Sequence, residues 1–338
     1  MEEPIRVGLI GCGQMGLWHA RCLAYDIRRA ELRAVADPDE TAARRAAGLA
    51  PGVRWSTNPD TLLSDHSLQA VVIASPDEAH AGLIAMAAEA NMDTFCEKPL
   101  APDLAGADAA LAAVARYGVK LQVGFQRRFD PAYQRARELI ASGGLGPVEL
   151  AVATTRDPLL PGRPDGLEDG AIFTQTTIHD LDSLRYLTGL EVIQVYATAS
   201  WFSEGAAEER EVDTAAVLLR LENGALATIT NSRRAPYGYD VRVEIMGPKG
   251  KVEVGQERQT RLRRFTAEGV CHDHVYWYVD RFGEAYRREL QHFVDCVADD
   301  KTPAVGGADA RAAQVLAEAA ARSLREGRPV DVVPRGSS

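Results

Sequence analysis

The first 125 residues alternate short apolar runs with helical patterns, and no other feature constrains the fold of this chain more strongly. The apolar runs are IRVGLI, LRAVAD, AVVIAS, TFCEKP and KLQVGF, and a helical pattern follows each run except the last. Strands that alternate with crossover helices form a parallel, doubly wound sheet with helices on its faces. The sequence therefore predicts an α/β domain of this kind over residues 1–124.

After Phe125 the pattern becomes that of a second α/β domain, which we place at residues 125–333. Asp130 and Pro131 are typical of a helix N-terminus, and β-rich runs joined by short turns predict a large, mostly antiparallel sheet. Two helices are expected at about residues 283–299 and 307–326, with the C-terminal helix packing back on the first domain. Residues 334–338 resemble the remnant of a tag linker, so the fold prediction leaves them out.

Charge and cysteine content exclude several classes of function. The formal net charge is -10, whereas binding to a phosphate backbone requires a basic surface, so no nucleic-acid partner is expected. The five cysteines are scattered and form no CxxC pair, as is usual for reduced thiols in a cytoplasm. The N-terminal residues show neither a basic region nor a long apolar run. The sequence thus predicts a cytoplasmic protein without a membrane partner.

A glycine-rich turn follows the first predicted strand directly. GLIGCGQMG places Gly11, Gly13 and Gly16 in a GxGxxG pattern that opens the first helix. Glycines at this spacing allow a tight turn and let a pyrophosphate approach the helix N-terminus, where unpaired N–H groups favour anions. In this strand and helix context the pattern predicts a dinucleotide-binding Rossmann domain.

The end of the second strand indicates which dinucleotide binds. Asp37 lies 21 residues after Gly16, where a carboxylate can accept hydrogen bonds from the adenosine ribose hydroxyls. The same carboxylate would repel a 2′-phosphate, and Arg44 and Arg45 lie too far along the next helix to bind one. The sequence therefore predicts NAD rather than NADP as the cofactor.

Polar residues stand at the carboxyl ends of the later strands, where doubly wound sheets bind their ligands. The three segments are Ser75-Pro76-Asp77, Glu97-Lys98-Pro99 and Gly124-Phe125-Gln126. A lysine is usually a solvated surface charge, but one that ends a buried strand and precedes proline is held in position. Lys98 is therefore a candidate functional cation.

The segment TQTTIHDLDSLRYL reads as a helix with a narrow polar seam of Gln175, His179, Asp182 and Tyr186 beside an apolar stripe. A lone histidine is more often a surface residue than a catalytic one. Oxidation of a secondary alcohol, however, needs a base for the hydroxyl proton and a cation for the developing alkoxide. His179 and Lys98 together would supply both groups.

Seven motifs carry a family resemblance over residues 5–330. They are GCGQMG, ASPDEAH, EKP, GFQRRFDP, IHDLDSLRYLTG, YGYD and RFGEAYRRELQHFV. As a set they resemble the glucose-fructose oxidoreductase, inositol dehydrogenase and MocA (Gfo/Idh/MocA) family, most closely its inositol 2-dehydrogenases. The resemblance implies an NAD-dependent sugar or polyol dehydrogenase. It also implies that the second domain binds substrate and that its open sheet mediates a homo-oligomer, a dimer or a tetramer.

The resemblance assigns roles residue by residue. Lys98 and His179 would be catalytic, and Asp182 would bind substrate hydroxyls or orient the site. The other residues implied at the substrate are Gln126, Asp157, Gln175, Tyr237 and Tyr239. The residues expected at the cofactor are Gly11, Gly13, Gln14, Met15, Gly16, Asp37, Ser75, Pro76, Asp77, His80, Glu97 and Lys98.

Two departures from the family pattern widen the expected substrate class. Gln175 stands one turn before His179, where an aspartate is usual, and a neutral amide keeps a hydrogen bond but loses the charge. Thr155-Arg156-Asp157 stands where a histidine and an asparagine are more usual. We therefore expect oxidation of a secondary hydroxyl of a cyclic polyol or sugar, which could be an inositol, an aldose or an anhydrosugar. The alternatives are a catalytically silent dinucleotide or sugar sensor and an NADP-linked ketosugar reductase.

Three further features have competing interpretations. Residues 271–274, CHDH, could bind a metal, but adjacent side chains of an extended segment point to opposite faces, so no metal is expected. Arg127 and Arg128 would either grip a substrate phosphate or form structural pairs, with Asp130 for example. Tyr237 and Tyr239 would lie on one side of a strand, where packing and substrate stacking are equally consistent with the sequence.

Overall fold

The computed structural model describes residues 3–158, 170–202, 212–255, 259–260 and 262–332. The chain divides into two compact units, Met1–Gln126 with Tyr286–Gln314 and Arg127–Ala285 with Val315–Ser338. The first unit thus includes residues 286–314, which the sequence-based division assigned to the second domain. The predicted tag remnant at 334–338 lies outside the described residues.

The first unit is built on a six-stranded, fully parallel sheet in the order β3-β2-β1-β4-β5-β6. Its strands are β1 (Ile5–Ile10), β2 (Ala30–Ala36), β3 (Arg54–Ser56), β4 (Ala70–Ile73), β5 (Asp93–Glu97) and β6 (Leu121–Gly124). The helices between them are α1 (Gln14–Tyr25), α2 (Glu40–Ala47), α3 (Pro59–Leu63), α4 (Asp77–Glu89) and α5 (Leu104–Tyr117). The predicted doubly wound sheet is confirmed, whereas β3 and α3 were not predicted.

Local sequence signals account for where several of these helices begin and end. Asp39, Asn58 and Asp103 each accept a hydrogen bond from a backbone N–H of the first helical turn that follows. Gly118 ends α5 in the left-handed conformation, with a φ of 70°. These caps satisfy helix-end groups that would otherwise lack partners.

The second unit contains a seven-stranded sheet in the order β12-β11-β7-β10-β9-β8-β15 and a separate hairpin, β13-β14. The strands are β7 (Leu150–Pro158), β8 (Val192–Ser200), β9 (Thr214–Leu221), β10 (Leu226–Ala235), β11 (Asp240–Gly247), β12 (Gly250–Val254), β13 (Arg263–Thr266), β14 (Gly269–His272) and β15 (Val330–Asp331). Every neighbouring pair in the large sheet is antiparallel except β7 and β10. The predicted mostly antiparallel sheet is confirmed.

Four further helices complete the described chain. They are α6 (Pro131–Ala141), α7 (Ile178–Thr188), α8 (Tyr278–Ala298) and α9 (Gly307–Glu326). A 3₁₀ turn, Gln126–Phe129, precedes α6, and a π-helical turn, Phe173–Thr177, leads into α7. Both α8 and α9 continue from one compact unit into the other. Within the described ranges, no helix combines the length and the apolar character needed to cross a membrane.

Candidate cofactor and catalytic site

Each glycine of the GxGxxG turn has a distinct steric role. Gly11 adopts a φ of 88°, and a Cβ placed there would lie 2.5 Å from the backbone of Ala74. A Cβ on Gly16 would lie 1.8 Å from the carbonyl oxygen of Gly11. Gly13, which precedes α1, has no atom within 4 Å of its Cβ direction, so the helix N-terminus stays open. This arrangement fits a pyrophosphate held by backbone N–H groups.

Replacing Gly16 by alanine should damage both folding and cofactor binding, because the added carbon meets backbone atoms that cannot move independently. We expect a loss of about 1–3 kcal/mol in the free energy of unfolding and about tenfold in NAD affinity. Gly82→Ala is the matched control, since Gly82 is exposed on α4 with open space around its Cβ direction, and it should be neutral or slightly stabilising. Urea unfolding and NAD titration measure both effects, and equal behaviour of the two variants would contradict the assignment.

Asp37 directly follows β2 and lies beside the glycine turn, as the sequence predicts. Its Oδ2 accepts a hydrogen bond of 2.6 Å from the backbone N–H of Cys12, and its Oδ1 accepts one of 2.8 Å from Asp39. Burial, with the Asp37 charge beside it, raises the pKa of the Cys12 thiol to about 12. A fixed carboxylate next to the phosphate-binding turn suits the ribose hydroxyls of NAD.

Arg45 lies closer to this turn than the sequence suggests. Its Nη2 donates a hydrogen bond of 3.4 Å to the carbonyl oxygen of Cys12. Arg45 reaches the turn because α2 begins immediately after Asp39, so that its second helical turn lies near Cys12. That Arg45 does not bind a 2′-phosphate stays a prediction. Arg44 instead pairs with Glu40 and stacks on Trp55 at 4.2 Å.

A buried histidine joins the ends of β4 and β5. The Nδ1 of His80 lies 2.6 Å from the carbonyl oxygen of Pro99, and its Nε2 lies 2.9 Å from that of Ser75. Both ring nitrogens of this predicted cofactor residue therefore face backbone carbonyls. Burial raises the pKa of Asp77, against the opposing effect of the Lys98 and His80 charges. Asp77 and Lys98 thus lie within electrostatic range of each other.

Glu289 of α8 is a buried acid that the sequence analysis did not identify. Its side chain is fully buried, and neither carboxyl oxygen has a hydrogen-bond partner within the described part of the chain. Burial, with the negative charge of Glu97 nearby, raises the pKa of Glu289 well above its usual value. The helical period could have identified it, because Glu289 lies on the same stripe of α8 as the buried Phe282, Tyr286 and Phe293.

The pH dependence of stability should change in Glu289→Gln. A raised pKa means that the folded protein holds this proton more tightly than the unfolded chain does. The resulting stabilisation is complete below the ordinary pKa of glutamate and is lost as the pH rises toward the raised value. We therefore expect Glu289→Gln to melt at a higher temperature than the parent, by a margin that grows from pH 5 to pH 9. The exposed Glu138→Gln is the control, and a margin independent of pH would contradict the prediction.

His179 lies in the first turn of α7, directly after the π-helical turn. A π-helical turn holds more residues than an α-helical turn, so the spacing of 100° per residue assumed for the polar seam does not hold before Ile178. The predicted helix is present at Ile178–Thr188, and the shared face of Gln175 and His179 stays a prediction. The Oε1 of Gln175 accepts a hydrogen bond of 3.0 Å from Nη2 of Arg233 on β10. Arg233 is another residue that pattern analysis missed.

Asp180, next to His179, fixes α7 to the sheet of the second unit. Its buried carboxylate accepts hydrogen bonds from Nη1 of Arg127 at 2.5 Å, Oγ1 of Thr155 at 2.9 Å and Nδ2 of Asn231 at 2.7 Å. The Arg127 and Asp180 side chains are 2% and 1% exposed, respectively. These contacts fix the helix that carries His179.

Asp182 also pairs with an arginine. Its Oδ1 and Oδ2 accept hydrogen bonds from Arg128, with distances of 2.5–3.1 Å, and its side chain is 1% exposed. Both arginines therefore form structural pairs, one of the two interpretations of the sequence, although with Asp180 and Asp182. Asp130 instead caps α6 and accepts a hydrogen bond of 2.9 Å from Arg281. Of the two roles implied for Asp182, this pairing favours orienting the site.

The remaining predicted substrate residues differ in exposure. Tyr237 is 50% exposed and donates a hydrogen bond of 3.1 Å to Asp240, whereas Tyr239 is 6% exposed and packs edge-on against Phe282. The two tyrosines do not share one side of a strand, because Gly238 has a φ of 112° and β11 begins only at Asp240.

Gln126 and Asp157 each lie at or beside a short helical turn. Gln126 is 1% exposed and begins the 3₁₀ turn. Asp157 accepts a hydrogen bond of 3.2 Å from Thr176. Residues 159–169, which follow Asp157 closely, lie outside the described residues.

The segment 271–274 forms part of an exposed hairpin and the chain after it. Cys271 and His272 are exposed on β14, and His274 packs against Tyr237 at 5.5 Å between ring centres. The described residues contain no group of three or more side chains arranged to hold a metal ion.

Family comparisons agree with both units. Residues 5–125 match the oxidoreductase family's NAD-binding Rossmann fold, and residues 137–332 match its C-terminal alpha/beta domain. These matches define the class as an oxidoreductase with an NAD-binding domain. The chain belongs to the Gfo/Idh/MocA family, as the sequence motifs predicted.

Individual relatives match over nearly the full chain. The scyllo-inositol 2-dehydrogenase (NAD(+)) of Bacillus subtilis (strain 168) is 36% identical, over 98% of this chain and 97% of its own. The inositol 2-dehydrogenase of Rhizobium meliloti (strain 1021) is 37% identical, over 97% of this chain and 99% of its own. The crystal structure of myo-inositol dehydrogenase from Lactobacillus casei, in complex with NAD(H) and myo-inositol, has a TM-score of 0.90 at 28% identity and covers 99% of this chain and 98% of that chain. The prediction of NAD as cofactor is confirmed at the level of the family.

Proposed function

We propose that the chain oxidises one secondary hydroxyl of a cyclic polyol or sugar, such as an inositol, an aldose or an anhydrosugar, to the ketone. Bound NAD supplies the hydride acceptor. His179 accepts the hydroxyl proton as general base, and the Lys98 ammonium stabilises the developing alkoxide. The observation that carries the proposal is the near full-length similarity to enzymes named as inositol dehydrogenases.

The placement of Lys98 supports its role. Lys98 follows β5 at the carboxyl end of the parallel sheet, the edge at which sheets of this type bind their ligands. Asp77, at the first turn of α4, lies within electrostatic range of it. A cation at this edge can act on charge that develops on a substrate oxygen next to the nicotinamide.

The placement of His179 supports the role of a general base. Its side chain is partly exposed, while its neighbour Asp180 is buried and held by three hydrogen bonds. A base must keep a fixed geometry toward the proton that it removes. The anchored helix provides this geometry.

Gln175 and Asp157 are the proposed specificity residues. Gln175 brings no charge of its own, and its carbonyl oxygen accepts a hydrogen bond from Arg233. Asp157 accepts a hydrogen bond from Thr176 and has a partly exposed side chain. A neutral amide and a carboxylate suit hydroxyl groups as hydrogen-bond partners, in keeping with a polyol or sugar.

The test is the initial rate of nicotinamide reduction across inositol isomers, aldoses and anhydrosugars, with NAD and NADP run side by side. Turnover with NAD on one of these compounds supports the proposal. Binding of NAD without turnover on any compound would favour a dinucleotide or sugar sensor, and a preference for NADP with ketosugars would favour a reductase. Either result would overturn the proposal.

We also propose that the chain forms a homo-oligomer, a dimer or a tetramer, through the open face of its large sheet. Leu218, Leu226, Tyr196 and Met246 are 54%, 50%, 36% and 36% exposed. Tyr196 lies opposite Leu218 in register, and an exposed apolar face of this kind is typical of an association surface.

Light scattering should accordingly give the mass of two or four chains. Leu218→Glu should lower that mass, because the carboxylate would have to be desolvated in the interface. Met86→Glu, on an exposed position of α4, is the control and should leave the mass unchanged. A monomeric parent protein would contradict the proposal.

A further inference from the structure

The Glu97 carboxylate occupies a space that only a glycine leaves open. Glu97 at the end of β5 pairs in register with Gly124 of β6. A Cβ added to Gly124 would lie 2.8 Å from Oε2 and 3.3 Å from Oε1 of Glu97. The carboxylate therefore lies directly over the glycine backbone, and a larger residue at position 124 would displace it.

A buried imidazole holds this carboxylate from the other side. The Nε2 of His19 on α1 donates a hydrogen bond of 2.8 Å to Oε1 of Glu97. The His19 side chain is fully buried, while that of Glu97 is 12% exposed. The imidazole packs edge-on against Phe95 at 5.3 Å and Tyr286 at 6.5 Å, so its orientation is fixed.

The charged groups around Glu97 come from several elements of the first unit. Glu289 of α8 lies within electrostatic range of Glu97, as does Asp77 of α4. Asp77 is in turn within range of His80 and of Lys98, which directly follows Glu97. Burial, with the negative charge of Glu97 nearby, raises the pKa of Glu289 well above its usual value, which disfavours a second negative charge beside Glu97.

We propose that His19 is a positioning residue, which together with Gly124 fixes the Glu97 carboxylate as a counter-charge that keeps Lys98 in its ammonium form. The inference rests on the proposed function, because that function gives Lys98 the task of stabilising an alkoxide. The buried His19 and the absence of a side chain at Gly124 fix the position of the Glu97 carboxylate. The negative charge of Glu97 then acts on the adjacent Lys98. His19 itself contacts neither substrate nor cofactor in this role.

The test measures the protonation of Lys98 without substrate. The full chain with NAD bound is treated briefly with acetic anhydride across a pH series, and mass spectrometry follows the peptide that carries Lys98. Lys301, an exposed lysine, serves as the internal reference. Glu97→Gln removes the counter-charge, His19→Leu removes the hydrogen bond, and His19→Gln keeps an N–H donor near the position of Nε2.

We expect the pH at which Lys98 becomes half reactive to fall by about one unit in Glu97→Gln and in His19→Leu, and to return toward the parent value in His19→Gln. A lower melting temperature in His19→Leu with unchanged Lys98 reactivity would mean a purely structural role and overturn the proposal. If the pH at which Lys98 becomes half reactive falls in Glu97→Gln but not in His19→Leu, the role of His19 is overturned. Should His19→Leu fail to fold, Gly124→Ala displaces the same carboxylate and gives the same test. Because no turnover is measured, failure here is distinguishable from failure of the proposed dehydrogenase activity.

Discussion

Alanine in place of His179 or Lys98 should lower turnover by about 10²–10⁴-fold, the range typical of acid-base groups, while NAD still binds. His179→Ala removes the acceptor for the hydroxyl proton. Lys98→Ala removes the positive charge that stabilises the alkoxide. Since both changes act on the chemical step, we expect the loss mainly in kcat. Initial rates on the best substrate of the panel, together with NAD titrations, measure the effect.

Two surface variants separate this loss from a general effect of mutation. His66→Ala and Lys301→Ala replace exposed residues of the first unit and should keep the parent rate. The pH dependence adds a second criterion, because loss of the base should remove the acid limb of the kcat/KM profile. Unchanged turnover in His179→Ala would exclude its role as base, and unchanged turnover in Lys98→Ala would exclude its role as cation.

Asp180→Ala should destabilise the protein by about 3–5 kcal/mol, the usual cost of removing one partner of a buried ion pair. The substitution leaves the Arg127 guanidinium buried without its carboxylate and removes the acceptor for Thr155 and Asn231. Urea unfolding followed by circular dichroism measures the change. Asp180→Asn should lower the free energy of unfolding less than Asp180→Ala does, because the amide oxygen still accepts a hydrogen bond.

The matched control for Asp180→Ala is Glu138→Ala. Glu138 forms an exposed ion pair with Arg135 on α6, at 3.0 Å, and pairs of this kind contribute about 0–1 kcal/mol. A loss below about 1 kcal/mol in Asp180→Ala would show that the buried network does not anchor α7.

The cofactor domain was largely predictable because its signals are local in sequence. A strand, a glycine turn and a helix follow one another within the first 25 residues, and Asp37 comes at the end of the next strand. Each glycine then has the steric role that its spacing implies. The short β3 and α3 were not predicted, because segments of three to five residues are too short to show a strand or helix periodicity.

The second unit was less predictable because its polar contacts join distant parts of the chain. The buried role of Asp180 was not predicted, because its hydrogen-bond partners come from β7, β10 and the 3₁₀ turn. The parallel pairing of β7 and β10 spans a similar sequence separation, whereas short turns indicate only antiparallel neighbours. The π-helical turn before His179 has no sequence signal in a scheme with one helical period.

Buried acids and their partners were the other omission. His19, Glu97 and Glu289 lie on three elements, and no spacing rule brings them together. The sequence placed Glu97 beside Lys98 and at the cofactor, but gave no sign of its contact with His19. The structure adds that its carboxylate is held by His19 over Gly124.

Transfer of a deuterium label from substrate to cofactor tests whether a hydride passes from a substrate carbon to the nicotinamide. The protein is incubated with NAD and the best substrate of the panel, deuterated at the ring carbons that bear hydroxyls, and the NADH formed is analysed by mass spectrometry. We expect NADH that carries one deuterium and forms more slowly than from the unlabelled compound. NADH without deuterium, or no NADH from any inositol, aldose or anhydrosugar, would contradict this expectation.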